Sequence, residues 1–320
     1  MVYQNVLEAL GGTPLIKLSR MVPAGSADVL VKYEALNVGG SIKTRTAYNM
    51  IQDAEEQGLL TPDSIIVEPT SGNQGIGLAL VGAVKGYKVR IIMPDSVSHE
   101  RRKLVRAYGG ELILVKDEGD IGACIQACLD TALKMAEEDP NVWVPQQFSN
   151  PSNPAVHKSK TALEILDQVE GDIHGFCSGV GTGGTLTGIG TVLKEKFPEM
   201  EIWAVEPENA AILSKGRITT HLQMGIGDGI IPENLDLDLY DDVTIITDQE
   251  AINTARRLAL EEGLLCGISS ADLMPCAFKC LVTLTPQEPT EEFIARLMIT
   301  KKELRRWQKM NMLIVDNQSS

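Results

Sequence analysis

The chain has little positive charge to offer a polyanion. Its 29 lysines and arginines stand against 43 aspartates and glutamates, a formal charge of −14. Affinity for nucleic acid comes largely from Lys and Arg neutralising phosphates, so the balance argues against a nucleic-acid partner. Long apolar runs are missing too. Nothing approaches the roughly 20 residues that span a bilayer, and the start, MVYQNVLEALGGTPL, has no basic stretch leading into an apolar one. Together these absences predict a cytoplasmic protein with no membrane role. The six cysteines (Cys124, Cys128, Cys177, Cys266, Cys276 and Cys280) include no CxxC pair, and the four histidines are scattered. His99-Glu100 lacks the second His of HExxH, so no metal site is expected. Cys124/Cys128 and Cys276/Cys280 are each four apart, which shares a helix face, and such thiols read as small hydrophobes. Repeats and low-complexity linkers are also lacking. What is present is an ordinary globular composition, 43% apolar and 22% charged, in 320 residues, enough for two domains packed on each other.

From about residue 64 short β-rich runs alternate with longer amphipathic ones. SIIVEP precedes QGIGLALVGAVKG, KVRIIMP precedes HERRKLVRAYGG, and ELILV precedes a helix-like stretch to about Glu138 and then VWVP. Alternation of this kind implies βαβ units and a parallel sheet. A second series runs through KTALEILDQV, IHGFCSG, TLTGIGTVLKEKF, EIWAVEP, DDVTIIT and QEAINTARRLALEEG. Between them Asn150-Pro-Ser-Asn-Pro154 is a breaker cluster, where the residue before each proline is pushed out of the α region. The chain is expected to cross from one domain to the other there.

Three stretches carry chemistry. GVGTGGTLTG, Gly179 to Gly188, holds five glycines and three threonines between a strand-like run and a helix-like one. Glycines let backbone N–H groups close on an anion, the helix N-terminus adds partial positive charge, and Thr182 and Thr185 can donate hydroxyl bonds. A phosphate fits. So does a dinucleotide, because Gly179, Gly181 and Gly184 satisfy GxGxxG and Glu206 ends the next strand-like run, where a ribose-binding acid would stand. In VGGSIKTRTAYNMI, Ser41 is expected to cap a helix whose first turn contains Lys43. There the dipole disfavours the ammonium form, as a free-amine nucleophile requires. In VEPTSGNQG, hydroxyls and amide N–H groups gather at the carboxyl end of a parallel strand, the edge at which ligands bind, and a carboxylate suits them.

Taken in order, GGTPL, SIK, PTSGN, GTGGT and GISS resemble the fold-type II pyridoxal-phosphate enzymes, within them the cysteine synthase and cystathionine β-synthase family, from about residue 3 to residue 270. The resemblance implies an α/β fold of two three-layer αβα domains with mainly parallel sheets, similar to the tryptophan synthase β-subunit. Residues 41–150 would form a smaller, mobile, substrate-gripping domain, and 1–40 with 151–320 a larger domain holding the cofactor phosphate. Pyridoxal 5′-phosphate is the implied cofactor, and the dinucleotide reading leaves the other motifs unexplained. Lys43 matches the lysine that bonds the cofactor and later takes the substrate α-proton. Asn73 matches the asparagine on the ring hydroxyl. Gly181, Thr182, Gly183, Gly184 and Thr185 match the phosphate cup, and Ser269 the serine facing the ring nitrogen. Thr70, Ser71, Gly72 and Asn73, with Gln147, match the grip on the amino-acid carboxylate. The implied reaction replaces the acetoxy group of O-acetyl-L-serine by sulfide, through an aminoacrylate, to give L-cysteine and acetate. Cystathionine β-synthase-like use of homocysteine, or a catalytically weak cofactor-binding homologue, is the alternative. A homodimer and a serine acetyltransferase partner are implied as well.

Some departures are mild, such as Thr44, Gln74 and Ala162-Leu163. The tail is different in kind. After Ser270 the family continues with a small-residue helix and an apolar strand ending in a Pro-Asp-x-Gly-Glu-Arg-Tyr-like segment, which is not found here. Unless the tail supplies a substitute strand and helix, the larger domain loses core. Residues 289 to 310 are expected to be helix-capable, with Thr290 as a cap.

Overall fold

The computed structural model describes residues 2–22, 26–70, 72–119, 121–216, 218–276 and 311–315. Ser71, Cys280 and the helix-capable stretch 289–310 lie outside them.

The run SIIVEP forms β3 (Ile65–Pro69), and its apolar continuity is explained by burial on both faces. Ile66 packs into one core with Ala47, Ile51, Leu78 and Val81, while Val67 packs into another with Ile92, Cys128 and Ala132. The helices covering these faces are α1 (Lys43–Glu56) and α2 (Asn73–Lys85) on one side and α4 (Ile121–Glu138) on the other. Strands β4 (Lys88–Pro94), β5 (Glu111–Val115) and β6 (Val142–Trp143) complete a parallel sheet in the order β5-β4-β3-β6, with α3 (His99–Ala107) between β4 and β5. Each fully buried Ile or Val contributes about 1.5–3 kcal/mol, which is why such runs choose the sheet interior.

The second sheet has six strands in the order β1-β2-β10-β7-β8-β9. These are β1 (Leu15–Lys17), β2 (Asp28–Lys32), β7 (Gly175–Gly179), β8 (Glu201–Pro207), β9 (Asp242–Ile246) and β10 (Asn311–Val315). All pairings are parallel except β1 with β2. One face carries α6 (Ala162–Gln168) and α7 (Gly184–Lys196) over Phe176, Ile202 and Ala204, preceded in the chain by α5 (Ser152–Val156). The other carries α9 (Asp248–Arg257) and α10 (Ile268–Ala271) over Val29, Cys177 and Val205; α8 (Ile212–Lys215) follows β8. Helices therefore cover both faces of both mainly parallel sheets, as expected. The tail does supply a strand. Residues 311–315 pair in parallel with β2 on one side and β7 on the other, in the interior of the sheet.

A buried ion network joins the N-terminal segment, α1 and α6. Arg45 makes two hydrogen bonds to Glu34, Nε to Oε2 and Nη2 to Oε1, both at 2.9 Å. It makes two more to Glu164, at 2.6 and 2.8 Å. Lys32 Nζ donates to the Thr13 carbonyl at 2.6 Å and pairs with Glu164 Oε2 at 2.8 Å. Burial works against the Glu164 charge, but the Arg45 bonds outweigh it and hold the carboxyl down at about 2. Removing the guanidinium would leave Glu34 buried without its charged partner and Glu164 with Lys32 alone. Arg45→Ala is therefore expected to cost about 3–5 kcal/mol, read as a lower urea midpoint at neutral pH.

Candidate active site

Helix α1 begins at Lys43. The cap position is taken by Ile42 rather than Ser41, but the Ser41 hydroxyl still accepts the Lys43 N–H at 3.3 Å. The side chain of Lys43 is 8% exposed and points into a cleft lined also by Thr70, Asn73, Gln147, Thr182 and Asp228. Burial brings its pKa down from 10.5 to about 8, opposed by the negative charge of Asp228. The direction is the expected one; the leading cause is loss of water rather than the helix dipole.

The cleft lies where both sheets present carboxyl ends. Thr70, Gly72 and Asn73 follow β3, Gln147 follows β6, and Thr182 follows β7. Gly72 is the cap residue of α2, and the Thr70 hydroxyl accepts its N–H at 3.3 Å. In the loop after β7, Gly183 has φ +78°, and a Cβ there would stand 2.8 Å from Leu235. A Cβ on Gly181 would meet the Gly225 carbonyl at 2.5 Å, and one on Gly184 would meet Asn153 Oδ1 at 2.1 Å. Only bare backbone fits. The first N–H groups of α7 have no acceptor within their own helix and lie at its positive end. Backbone without side chains at a helix N-terminus fits a phosphate, and a buried low-pKa amine beside it fits an aldehyde.

Thr182 Oγ1 receives Asn153 Nδ2 at 2.9 Å and Lys43 Nζ at 3.5 Å, so the cup and the lysine share one hydroxyl. Thr185 and Ser269 are buried; Ser269 opens α10 and is not among the cleft-lining residues. Glu206, the acid a dinucleotide reading needs, accepts the backbone N–H groups of Leu213 and Ser214 at 2.9 and 3.1 Å, and so caps α8. Cys124 and Cys128 are buried on α4, and burial pushes the Cys128 thiol up to about 12, which suits the hydrophobe reading.

Two acids at the site are not apparent from the motifs. Asp228 is half-buried in a second glycine loop, GIGDG, whose Gly225, Gly227 and Gly229 all have positive φ. Burial raises its pKa while Lys43, His221 and Arg101 lower it. The run of alternate glycines was the available signal. Glu68 hides inside the strand-like run that precedes the Thr70 loop.

The description "pyridoxal-phosphate dependent enzyme" matches residues 6–284. The chain belongs to that family. Members bind pyridoxal phosphate, and the cup and the lysine above suit it. The chain is 47% identical to a cysteine synthase of a Flavobacterium species over 268 residues, 83% of this chain and 85% of that one. Among solved structures, a cysteine synthase of Entamoeba histolytica is 33% identical with a TM-score of 0.85, over 100% of this chain and 88% of that one. A hydrogen sulfide-producing enzyme of Fusobacterium nucleatum is 36% identical with a TM-score of 0.85, over 99% and 98%.

The Lys43 amine must be neutral to capture an aldehyde, and its neutral fraction rises with pH through its own pKa. The rate at which cofactor-free protein acquires visible absorbance from added pyridoxal phosphate is expected to rise with a midpoint near pH 8. A midpoint above 10, as for a solvated lysine, would contradict the burial argument.

Proposed function

We infer that the chain is a cysteine synthase, replacing the acetoxy group of O-acetyl-L-serine by sulfide. The observation that carries the reading is the convergence, in one cleft, of a buried lysine of lowered pKa, a side-chain-free anion cup and a loop of hydroxyl and amide groups. The cysteine synthases to which the chain is similar support it.

In this reading Gly181, Thr182, Gly183, Gly184 and Thr185, with the start of α7, hold the cofactor phosphate. Asn73 would meet the ring hydroxyl, and Ser269, buried at the start of α10, would face the ring nitrogen. Bound pyridoxal phosphate supplies an electron sink for negative charge developing at the substrate Cα. A hydroxyl at Ser269, unlike a carboxylate, would leave the ring nitrogen unprotonated and moderate that sink. The neutral amine of Lys43 would hold a free electron pair beside Cα and remove the α-proton. Its lowered pKa keeps a substantial neutral fraction near pH 8. Thr70, Ser71, Gly72, Asn73 and Gln147 hold the substrate carboxylate. Residues 41–150, which carry most of that grip, close toward the cup and exclude water. The strand at 311–315 supports the active-enzyme reading over a weak scaffold, because it completes the larger sheet between β2 and β7. The reading carries with it a homodimer, a serine acetyltransferase partner and a cytoplasmic setting; no helix among the described residues is long and apolar enough to cross a membrane.

The test is the visible spectrum of the purified protein. The expected result is a cofactor band that shifts with O-acetylserine, not with serine, and returns when sulfide is added, with cysteine formed. A coloured protein inert to O-acetylserine would overturn the reading. Lys43→Ala is expected to lower turnover by about 10³-fold or more while the fold persists by circular dichroism.

A further inference from the structure

Glu68 is a buried carboxylate that forms no ion pair among the described residues. It is 1% exposed, on β3, two residues before the Thr70 loop. Among the described residues its hydrogen-bond partners are two successive peptide N–H groups, those of Gln146 and Gln147, at 3.0 Å each. Burial pushes its pKa up to about 7, and the two N–H bonds oppose that rise. A carboxylate kept in so dry a place needs a reason, since an apolar residue would fill a strand position at less cost.

The turn it grips is strained. Gln146 has φ +56°, and no other described residue apart from glycines has positive φ. The Gln147 carbonyl faces the other way, accepting Asn153 Nδ2 at 2.8 Å and Asn234 Nδ2 at 2.9 Å. Asn153 gives its second hydrogen to Thr182 Oγ1, the hydroxyl that also meets Lys43. The backbone of one residue, Gln147, thus joins the strand carrying the substrate loop to the phosphate cup and the lysine.

We propose that Glu68 is a positioning residue that fixes the Gln146-Gln147 turn relative to the Thr70 to Asn73 loop, so that both sides of the substrate-carboxylate grip form one preset unit. This rests on the cysteine synthase reading, in which Gln147 and the 70–73 loop hold that carboxylate. Glu68 itself touches neither substrate nor cofactor. The bidentate grip is a device for orientation: two parallel N–H bonds set the tilt of the peptide as well as its distance, and they hold a backbone conformation that a glutamine seldom adopts alone.

The experiment uses the cofactor-loaded enzyme and two amines without a leaving group on Cβ, L-alanine and L-alaninamide, each titrated by its visible difference spectrum. Wild type is expected to bind alanine more tightly than the amide. Glu68→Gln keeps the shape but offers one acceptor where two N–H groups point. It is expected to weaken alanine about tenfold and alaninamide less than twofold, with the cofactor band unchanged. Equal weakening of both ligands, or of neither, would overturn the proposal. A wild type that does not prefer alanine to its amide would instead overturn the carboxylate-grip reading and the proposal with it. Should E68Q fail to fold, the double variant E68Q/Q146G is tested. Glycine adopts the left-handed turn without strain, so alanine binding is expected to return to within about threefold of wild type. A folded double variant still tenfold weaker for alanine would overturn the role assigned to the turn.

Discussion

Arg45 is the point on which the catalytic architecture hangs. Two residues beyond Lys43, it donates to Glu34, Glu164 and the Thr13 hydroxyl, while Lys32 supplies the second positive charge, so that four largely buried ionic groups form a neutral set. Such a set gains little over apolar packing, and its value lies in being intolerant of displacement. The first turn of α1 cannot rotate or slide without separating fixed charges, and Lys43 sits on that turn. Gly11 belongs to the same arrangement: a Cβ there would stand 2.6 Å from Glu164 Oε1. The ion set beneath the helix fixes the backbone from which Lys43 enters the cleft, where its Nζ meets Thr182 Oγ1 at 3.5 Å.

Sheet order explains why the remaining groups face it. In the smaller sheet the chain runs outward from β3 to β4 and β5, then returns to place β6 on the other side of β3. In the larger, β7, β8 and β9 run one way and β10 lies on the opposite side of β7. Each reversal splays the loops that leave the neighbouring strands, opening a crevice at their carboxyl ends. The Thr70 loop and the Gln147 turn flank the first reversal, and the glycine cup follows the strand at the second. Two crevices that meet make one cleft, lined by the Thr70 loop on one side and by Thr182 of the glycine cup on the other.

Much of this was legible in the residues. SIIVEP and KVRIIMP are strands because nothing else buries such runs, and the glycines of the cup announced a backbone that must be approached closely. What escaped notice was long-range. Glu68 looks like a polar interruption in a strand until the turn 78 residues later is folded against it. Asn153, in a cluster read as a breaker, proves to tie Gln147 to Thr182. Glu206 has the spacing of a ribose ligand but serves a short helix. NMLIV at 311–315 has an ordinary strand composition, and its place between β2 and β7 follows from edge complementarity that no local pattern encodes.

That placement bears on the order of assembly. Strands β2 and β7 are separated by more than 140 residues of chain and do not pair with each other; residues 311–315 stand between them. During synthesis the β3 to β6 sheet can close as soon as Trp143 has emerged, with contacts that are comparatively near in sequence. The hairpin of β1 and β2 must wait, one edge unsatisfied, until nearly 170 further residues have been made. Loops of that length make closure slow, and open parallel edges invite pairing with other chains. The smaller sheet would thus mature first on the ribosome, with the six-stranded sheet completed late and in need of protection meanwhile.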